Sequence, residues 1–363
     1  MAKLSYFILP LGILCSGVSI APQPEPQPVV ETTQQSEVRD FKFVSTHMTS
    51  GEDIPREFYF AGQWVPAQET HVHTKLVKTI RKYSKYNYGN KIITRRLGRY
   101  EQTFRNILSE MGVPEDFVYL SVIESNLSNA ISPVGARGFW QFMPYTAKQY
   151  GLEVSSTVDE RYHPEKATYA AAEYLLAAYE EFEDWFLVAA AYNMGPGGVH
   201  RAMRHQEACS YFDLDLNRET AKYVYRMLAH KIILNQPQKY EIEVSEDRML
   251  APIEYSSVMV DKNISNLATF AREHGTDLET LRNLNPWLIA NRLKVKAGKT
   301  YEIRIPLDEN LRMDELAVEN FVIDLPEPQE ESQSDSTQKV ESIVQDKETP
   351  ATPVVVADSS KKV

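Results

Sequence analysis

The residues with the most chemistry to offer lie between Val122 and Ala147, in the segment VIESNLSNAISPVGARGFWQFMPYTA. Glu124 ends an apolar run with helical character. A carboxylate there faces the unfavourable end of the helix dipole, and apolar neighbours desolvate it. Both effects raise its pKa, so it can hold a proton near neutrality and donate it. On position alone, an exposed glutamate at a helix end is the simpler reading. Three neighbouring features shift the balance. The loop Ser132–Gly138 holds Pro133, Gly135 and Gly138, which allow tight turns and close backbone approach. Phe139-Trp140-Gln141-Phe142-Met143 supplies bulky apolar walls and one amide. Ala191-Tyr192-Asn193-Met194-Gly195-Pro196-Gly197-Gly198 ends a helix in a Gly-rich turn and offers a phenol and an amide. Each piece alone is ordinary packing, capping or loop. Together they describe a cleft with one acid, flat aromatics and amides, which suits a carbohydrate chain.

The elements that must position these groups are helical. Arg96–Met111 is periodic and stops at Gly112. Pro114 opens a helix that runs to about Ser125, with Glu115 and Asp116 in its first turn. Pro144 opens another, closed by Gly151. Pro164 starts an Ala-rich helix that runs to Phe182, and Asp184 caps a short apolar one, Trp185–Tyr192. Asn217 caps the last, Arg218–Leu234, which Pro237 stops. Residues 240–306 change character. Tyr240–Val244 (YEIEV) and Tyr301–Ile305 (YEIRI) alternate like strands, and amphipathic Ile264–His274 and Leu278–Leu284 lie between them. This predicts a small α+β module in the order strand, helix, helix, strand.

The helical segment resembles the catalytic domain of soluble-type lytic transglycosylases, in the goose-lysozyme-like superfamily. The matching blocks are Glu124-Ser125, Ser132-Pro133-Val134-Gly135-Ala136, Gly138-Phe139-Trp140-Gln141-Phe142-Met143-Pro144 with Thr146-Ala147, Ala191-Tyr192-Asn193-Met194-Gly195, and Glu219-Thr220 with Tyr223-Val224. They occur in the family's order, and the layout is similar to that of membrane-bound members. The resemblance implies Glu124 as the single catalytic acid/base. It implies substrate contacts from Ser132, Gln141, Met143, Tyr192, Asn193 and Tyr223, with Phe139 and Trp140 also lining the cleft. Glu219 is read as support, and Arg137 is assigned nothing. No metal or cofactor is implied.

Ordinary glycosidases use two carboxyls, about 5 Å apart for retention and roughly 6.5–9.5 Å for inversion. Glu115 and Asp116 are at least about 12 Å from Glu124 along a helix axis. Asp159, Glu160 and Glu165 could fold back. Without a second carboxyl the substrate must supply the nucleophile, as the resemblance implies. Glu124 would protonate the β-1,4 oxygen between N-acetylmuramic acid and N-acetylglucosamine, then deprotonate the muramic 6-hydroxyl as it closes onto C1. The product would be a 1,6-anhydro sugar. Two rivals stand beside this: a muramidase-type glycoside hydrolase on the same fold, and a non-catalytic glycan-binding scaffold.

The module at residues 240–306 resembles a diverged LysM domain, a glycan-binding fold. The usual Gly-Asp-Thr opening is replaced by Asp261-Lys262-Asn263. The fold class is therefore mainly α: a lysozyme-like helical catalytic domain followed by a small α+β, LysM-like βααβ module. The expected layout is an export signal (1–21), a Pro-rich linker (22–40), a helical lead-in (41–95), the catalytic domain (96–239), the LysM-like module (240–306) and an acidic disordered tail (307–363).

The net charge is −11, but residues from Asp308 onward carry 14 acidic and 5 basic side chains, which leaves the remainder nearly neutral. Without a basic footprint, nucleic acid is excluded as a partner. The expected partners are peptidoglycan glycan strands, with room for cell-envelope proteins. The expected location is the periplasm or cell envelope after signal cleavage. Lipid attachment at Cys15 is disfavoured by Leu14 before it. Cys209 reads as a buried core thiol. His71 and His73, two lone histidines two apart, read as ordinary packed or surface residues rather than metal ligands.

Overall fold

The computed structural model describes residues 54–307. The export signal, the linker, residues 41–53, Cys15 and residues 308–363 lie outside them. A hairpin of β1 (Tyr59–Phe60) and β2 (Gln63–Trp64) turns through Ala61 and Gly62, both at positive φ. The helices α1 (Thr70–Ser84) and α2 (Asn87–Glu110) follow. The helix expected from Arg96 thus begins at Asn87. The extra turns lie in the expected helical lead-in; Tyr86 lays its ring where a Cβ at Gly89 would sit, and Asn90 donates to Tyr83 O at 2.8 Å. Packing overrides a turn-like composition there.

A 3-10 turn, Glu115–Phe117, leads into α3 (Val118–Ser125). Then come α4 (Pro144–Gln149), α5 (Pro164–Phe182) and α6 (Trp185–Met194). Asp184 caps α6 as expected, accepting from Phe186 N and Leu187 N at 2.8 Å each. Next is α7 (Pro196–Gln206), which sequence analysis read as a Gly-rich turn. Pro196 occupies the helix's first turn, where a missing N–H costs nothing. α8 (Thr220–Asn235) is capped by Asn217, whose side chain accepts from Glu219 N and Thr220 N at 3.1 Å. α8 packs on α1, α3 and α6, and α2 packs on α5. Helices α3 and α6 each bury seven residues, including every valine, leucine and isoleucine they carry, as central helices must.

The C-terminal module keeps the expected strand–helix–helix–strand order with a different first strand. β3 (Tyr255–Val260) pairs antiparallel with β4 (Tyr301–Pro306), around α9 (Leu267–Glu273) and α10 (Leu278–Leu284). The YEIEV segment is not a strand. Its Ile242 is buried in the helical body's core, Glu241 sits at positive φ, and no strand partner lies beside it. Asn266 and Asp277 cap the two module helices.

The module is fastened to the helical body. Val158 and Tyr162 belong to the module's own core, beside Trp287, Leu288 and Tyr301. Val158 and Leu288 form a β-bridge, and Asp159 N donates to Trp287 O at 2.9 Å. Burial alone would raise the Glu153 carboxyl, but hydrogen bonds from Lys299, Tyr301 and Lys296 bring it down to about 2. Arg304 pairs with Glu165 at 2.9 Å.

Three further expectations change. Phe139 and Trp140 are fully buried, so they are core rather than cleft wall. The Trp140 indole donates to Thr168 Oγ1 at 2.9 Å, which satisfies its polar edge. Cys209 is exposed rather than buried, and it is disulfide-bonded rather than a lone thiol. His71 has two carboxylate neighbours, Glu69 two residues before it and Asp213 from far along the chain: ligand atoms of the three, all exposed, lie within 4.8 Å of one another.

Gly138 has φ +80°, and a Cβ there would meet Arg161 O at 1.9 Å. Gly138→Ala should therefore cost about 2–4 kcal/mol of stability. Urea unfolding of the variant beside the unsubstituted protein measures it; an unchanged midpoint would contradict this close approach.

Candidate active site

Glu124 is the penultimate residue of α3, and seven of the eight residues in that helix are buried. The helix ends at Asn126, in the left-handed conformation, and its last carbonyls need donors. Two arginines supply them. Arg96, fully buried, donates to Asn126 O at 2.8 Å, and Arg226 donates to Ile123 O at 2.7 Å. Ser125 Oγ donates to Phe139 O at 2.9 Å, which ties the helix end to the loop beyond it.

The Glu124 carboxyl is raised to about 7. Burial is the largest cause and the charge of Glu219 adds to it, while a hydrogen bond from Tyr223 and the Arg226 charge pull the other way. Tyr223, itself buried, donates its hydroxyl to Glu124 Oε1. Burial and then the Glu124 charge push the phenols of both Tyr223 and Tyr192 well above the ordinary value, so both stay neutral donors. Tyr192 donates to Trp140 O at 2.7 Å and sets its ring edge-on to Tyr174, 5.0 Å away. A carboxyl poised between its two protonation states, with a phenol on one oxygen, can both give and take a proton near neutrality.

The remaining candidates take more local positions. Ser132 Oγ accepts from Ala136 N at 2.9 Å and so shapes the loop's turn. Gln141, at positive φ, donates to Ala130 O at 3.0 Å and Gly138 O at 2.8 Å. Met143 is exposed at the head of α4. Asn193 donates to Glu219 Oε1 at 3.0 Å and accepts from Thr220 Oγ1 at 2.6 Å, which links the end of α6 to the start of α8. Sequence reasoning missed Arg226, Arg96 and Tyr174. Arg226 had a signal: Glu219, Tyr223 and Arg226 are spaced four and three apart, along one face of a helix.

Residues 102–213 match the family described as the transglycosylase SLT domain, and that stretch contains Glu124, Tyr192 and Asn193. The chain carries an SLT domain. Residues 256–309 match the soluble lytic transglycosylase C-terminal LysM-like domain. Membrane-bound lytic murein transglycosylase D of Escherichia coli is 30% identical over 185 residues, 48% of this chain and 41% of the relative. Soluble lytic murein transglycosylase of Escherichia coli is 27% identical over 142 residues, 36% of this chain and 22% of the relative. The chain thus spans less than half the length of these relatives. Among solved structures, a lytic transglycosylase Slt from Pseudomonas aeruginosa aligns with TM-score 0.32 at 25% identity, covering 41% of this chain and 26% of that one.

The other carboxylates of the SLT domain that could have folded back are occupied. Asp159 holds Arg161 at 2.7 Å and Arg137 at 3.4 Å. Glu160 holds Lys166 at 2.6 Å, and Glu165 lies between His163 and Arg304. Glu219 is the acid whose charge reaches Glu124, and it is exposed.

A carboxyl raised on folding stabilises the protein below its unfolded value of 4.5, and that contribution is lost as pH rises through about 7. Glu124→Gln keeps the shape and removes the charge. The variant should match the unsubstituted protein at pH 3.5 and be the more stable by about 3 kcal/mol at pH 8. Denaturant unfolding at both pH values checks this, and a pH-independent difference would contradict the raised carboxyl.

Proposed function

We propose that this protein is a peptidoglycan lytic transglycosylase. It cleaves the β-1,4 bond between N-acetylmuramic acid and N-acetylglucosamine and leaves a 1,6-anhydromuramic end. The observation that carries the reading is the Glu124 carboxyl, raised to about 7 and held by Tyr223, inside a segment matched to the SLT family.

In this mechanism the protonated Glu124 gives its proton to the glycosidic oxygen as the bond from muramic C1 to that oxygen breaks. Charge on the sugar ring is shared with the 2-N-acetyl group. The carboxylate, now stabilised by the Tyr223 hydroxyl and the Arg226 charge, takes the proton of the muramic 6-hydroxyl. That oxygen forms the new bond to C1, no water enters, and Glu124 is returned protonated. Tyr192 and the Asn193–Glu219 pair would border the sugar; Ser132 and Gln141 hold the loop, and Met143 contributes an apolar rim. The names of the relatives support a place in the periplasm or cell envelope; no helix among the described residues is long and apolar enough to cross a membrane.

Glu219 gives the hydrolase reading its one foothold, because it is a carboxylate with an electrostatic effect on Glu124. A hydrolase would use it to activate water. Its hydrogen bond from Asn193 instead suits a supporting role.

Muropeptides released from purified peptidoglycan, analysed by mass spectrometry, separate these readings. The unsubstituted protein should release fragments whose muramic end is one water lighter than the reducing sugar. Glu124→Gln should release at least about a thousandfold less, and Glu219→Gln should keep the anhydro product at a reduced rate. Reducing-end products that vanish with Glu219→Gln would establish a hydrolase. No soluble product at all would favour a glycan-binding scaffold. The rate should also fall as pH rises above about 7, where Glu124 loses the proton it must donate.

A further inference from the structure

A cavity of about 420 Å³ opens at the seam between the SLT domain and the LysM-like module. Asn129, Arg137 and Tyr162 line it from one side, and Arg282, Pro286 and Ile289 from the other. The described residues that line it include two arginines and no carboxylate. Arg137 shares Asp159 with Arg161, which holds that carboxylate at 2.9 and 2.7 Å, so one acid serves two cations and the local charge stays positive. Arg282 donates through one terminal nitrogen to Asn291, while its buried Nε has no hydrogen-bond partner among the described residues. Asn129 Oδ1 is likewise buried without a partner among them. Buried polar atoms of this kind are costly unless something binds them.

We propose that this seam pocket receives a carboxylate-bearing stem peptide on the muramic residue of the substrate, an inference that rests on the peptidoglycan reading above. Arg282 and Arg137 offer planar N–H donors for the carboxylate, and the Asn129 amide adds a polar group to the lining for the peptide backbone. Tyr162, Pro286 and Ile289 give apolar walls for small aliphatic side chains. The reach agrees. Asn129 lies five residues after Glu124 on one continuous connection, so their Cα atoms are at most about 18 Å apart. An extended peptide of four or five residues covers a similar span. The pocket needs both domains, which gives the docked module a part in substrate selection.

The test is calorimetric binding of two soluble ligands, a disaccharide with its stem tetrapeptide and the same disaccharide without it. The proteins are the full chain, Arg282→Gln, Arg282→Lys and Asn291→Ala. The full chain should bind the peptide-bearing ligand about tenfold more tightly than the bare one, the worth of one charge-assisted hydrogen bond. Arg282→Gln should abolish that preference and leave bare-disaccharide binding as it was. Arg282→Lys should restore part of it. Asn291→Ala, which removes only Arg282's structural partner, should keep it. Equal affinity for both ligands in the full chain overturns the proposal, as does an equal loss for both in Arg282→Gln. Because binding is read without turnover, a failure of the cleavage chemistry in the muropeptide experiment is a separate result.

Discussion

The candidate site depends on keeping a single carboxyl in an apolar setting at the wrong end of a helix. Desolvation and the C-terminal dipole of α3 both oppose ionisation of Glu124, and a fold left to itself would turn that side chain outward. Its surroundings prevent this. Arg96 and Arg226 occupy the carbonyls that would otherwise crowd the helix end, and the Tyr223 hydroxyl fixes one carboxyl oxygen. The Tyr223 hydroxyl and the Arg226 charge pull the carboxyl back from a value that burial alone would set higher, and the balance lands near neutrality. A proton donor that must become a base within one turnover needs that balance.

Much of the remaining architecture supports the groups around that carboxyl. The buried Trp140 has no exposed surface to offer a ligand. It fills the core, and its carbonyl receives the Tyr192 hydroxyl, so a core tryptophan orients a site phenol. Gln141 and Ser132 spend hydrogen bonds on the loop between Ala130 and Phe142, and Gly138 lets that loop approach the Arg161 carbonyl. Asn193, Glu219, Thr220 and Asn217 form a chain of hydrogen bonds that registers α6 against α8. Motif residues therefore divide into those that border the reacting carboxyl and those that hold the first group in place.

The C-terminal module belongs to this arrangement through its seam. Its core includes Val158 and Tyr162, and Glu153 from the helical body is buried among Lys296, Lys299 and Tyr301. Removing either side would leave buried charge unpaired, which is expensive. The module is thus built as a wall of the helical body rather than as a tethered arm.

The sequence by itself determined the helical class and most helix boundaries marked by proline or a capping side chain, and it singled out Glu124 as the candidate acid. Those features are local: Pro164, Asp184 and Asn217 act on backbone groups within one turn, and an apolar run around a lone glutamate announces its own desolvation. Tertiary structure decided the rest. Phe139 and Trp140 look the same in sequence whether they line a cleft or fill a core, and only packing put them inside. YEIEV alternates like a strand, yet a strand exists only with a partner, and Tyr255–Val260 took that place against Tyr301–Pro306. Pro196-Gly197-Gly198 reads as a turn until the α6 packing makes a helix start there. Arg96 and the seam pocket were illegible for the same reason, and Arg226 showed only the helix face it shares with Glu219 and Tyr223, not the carbonyl it binds. They act on groups 30 to more than 100 residues away, and no local pattern records a contact that only the folded chain creates.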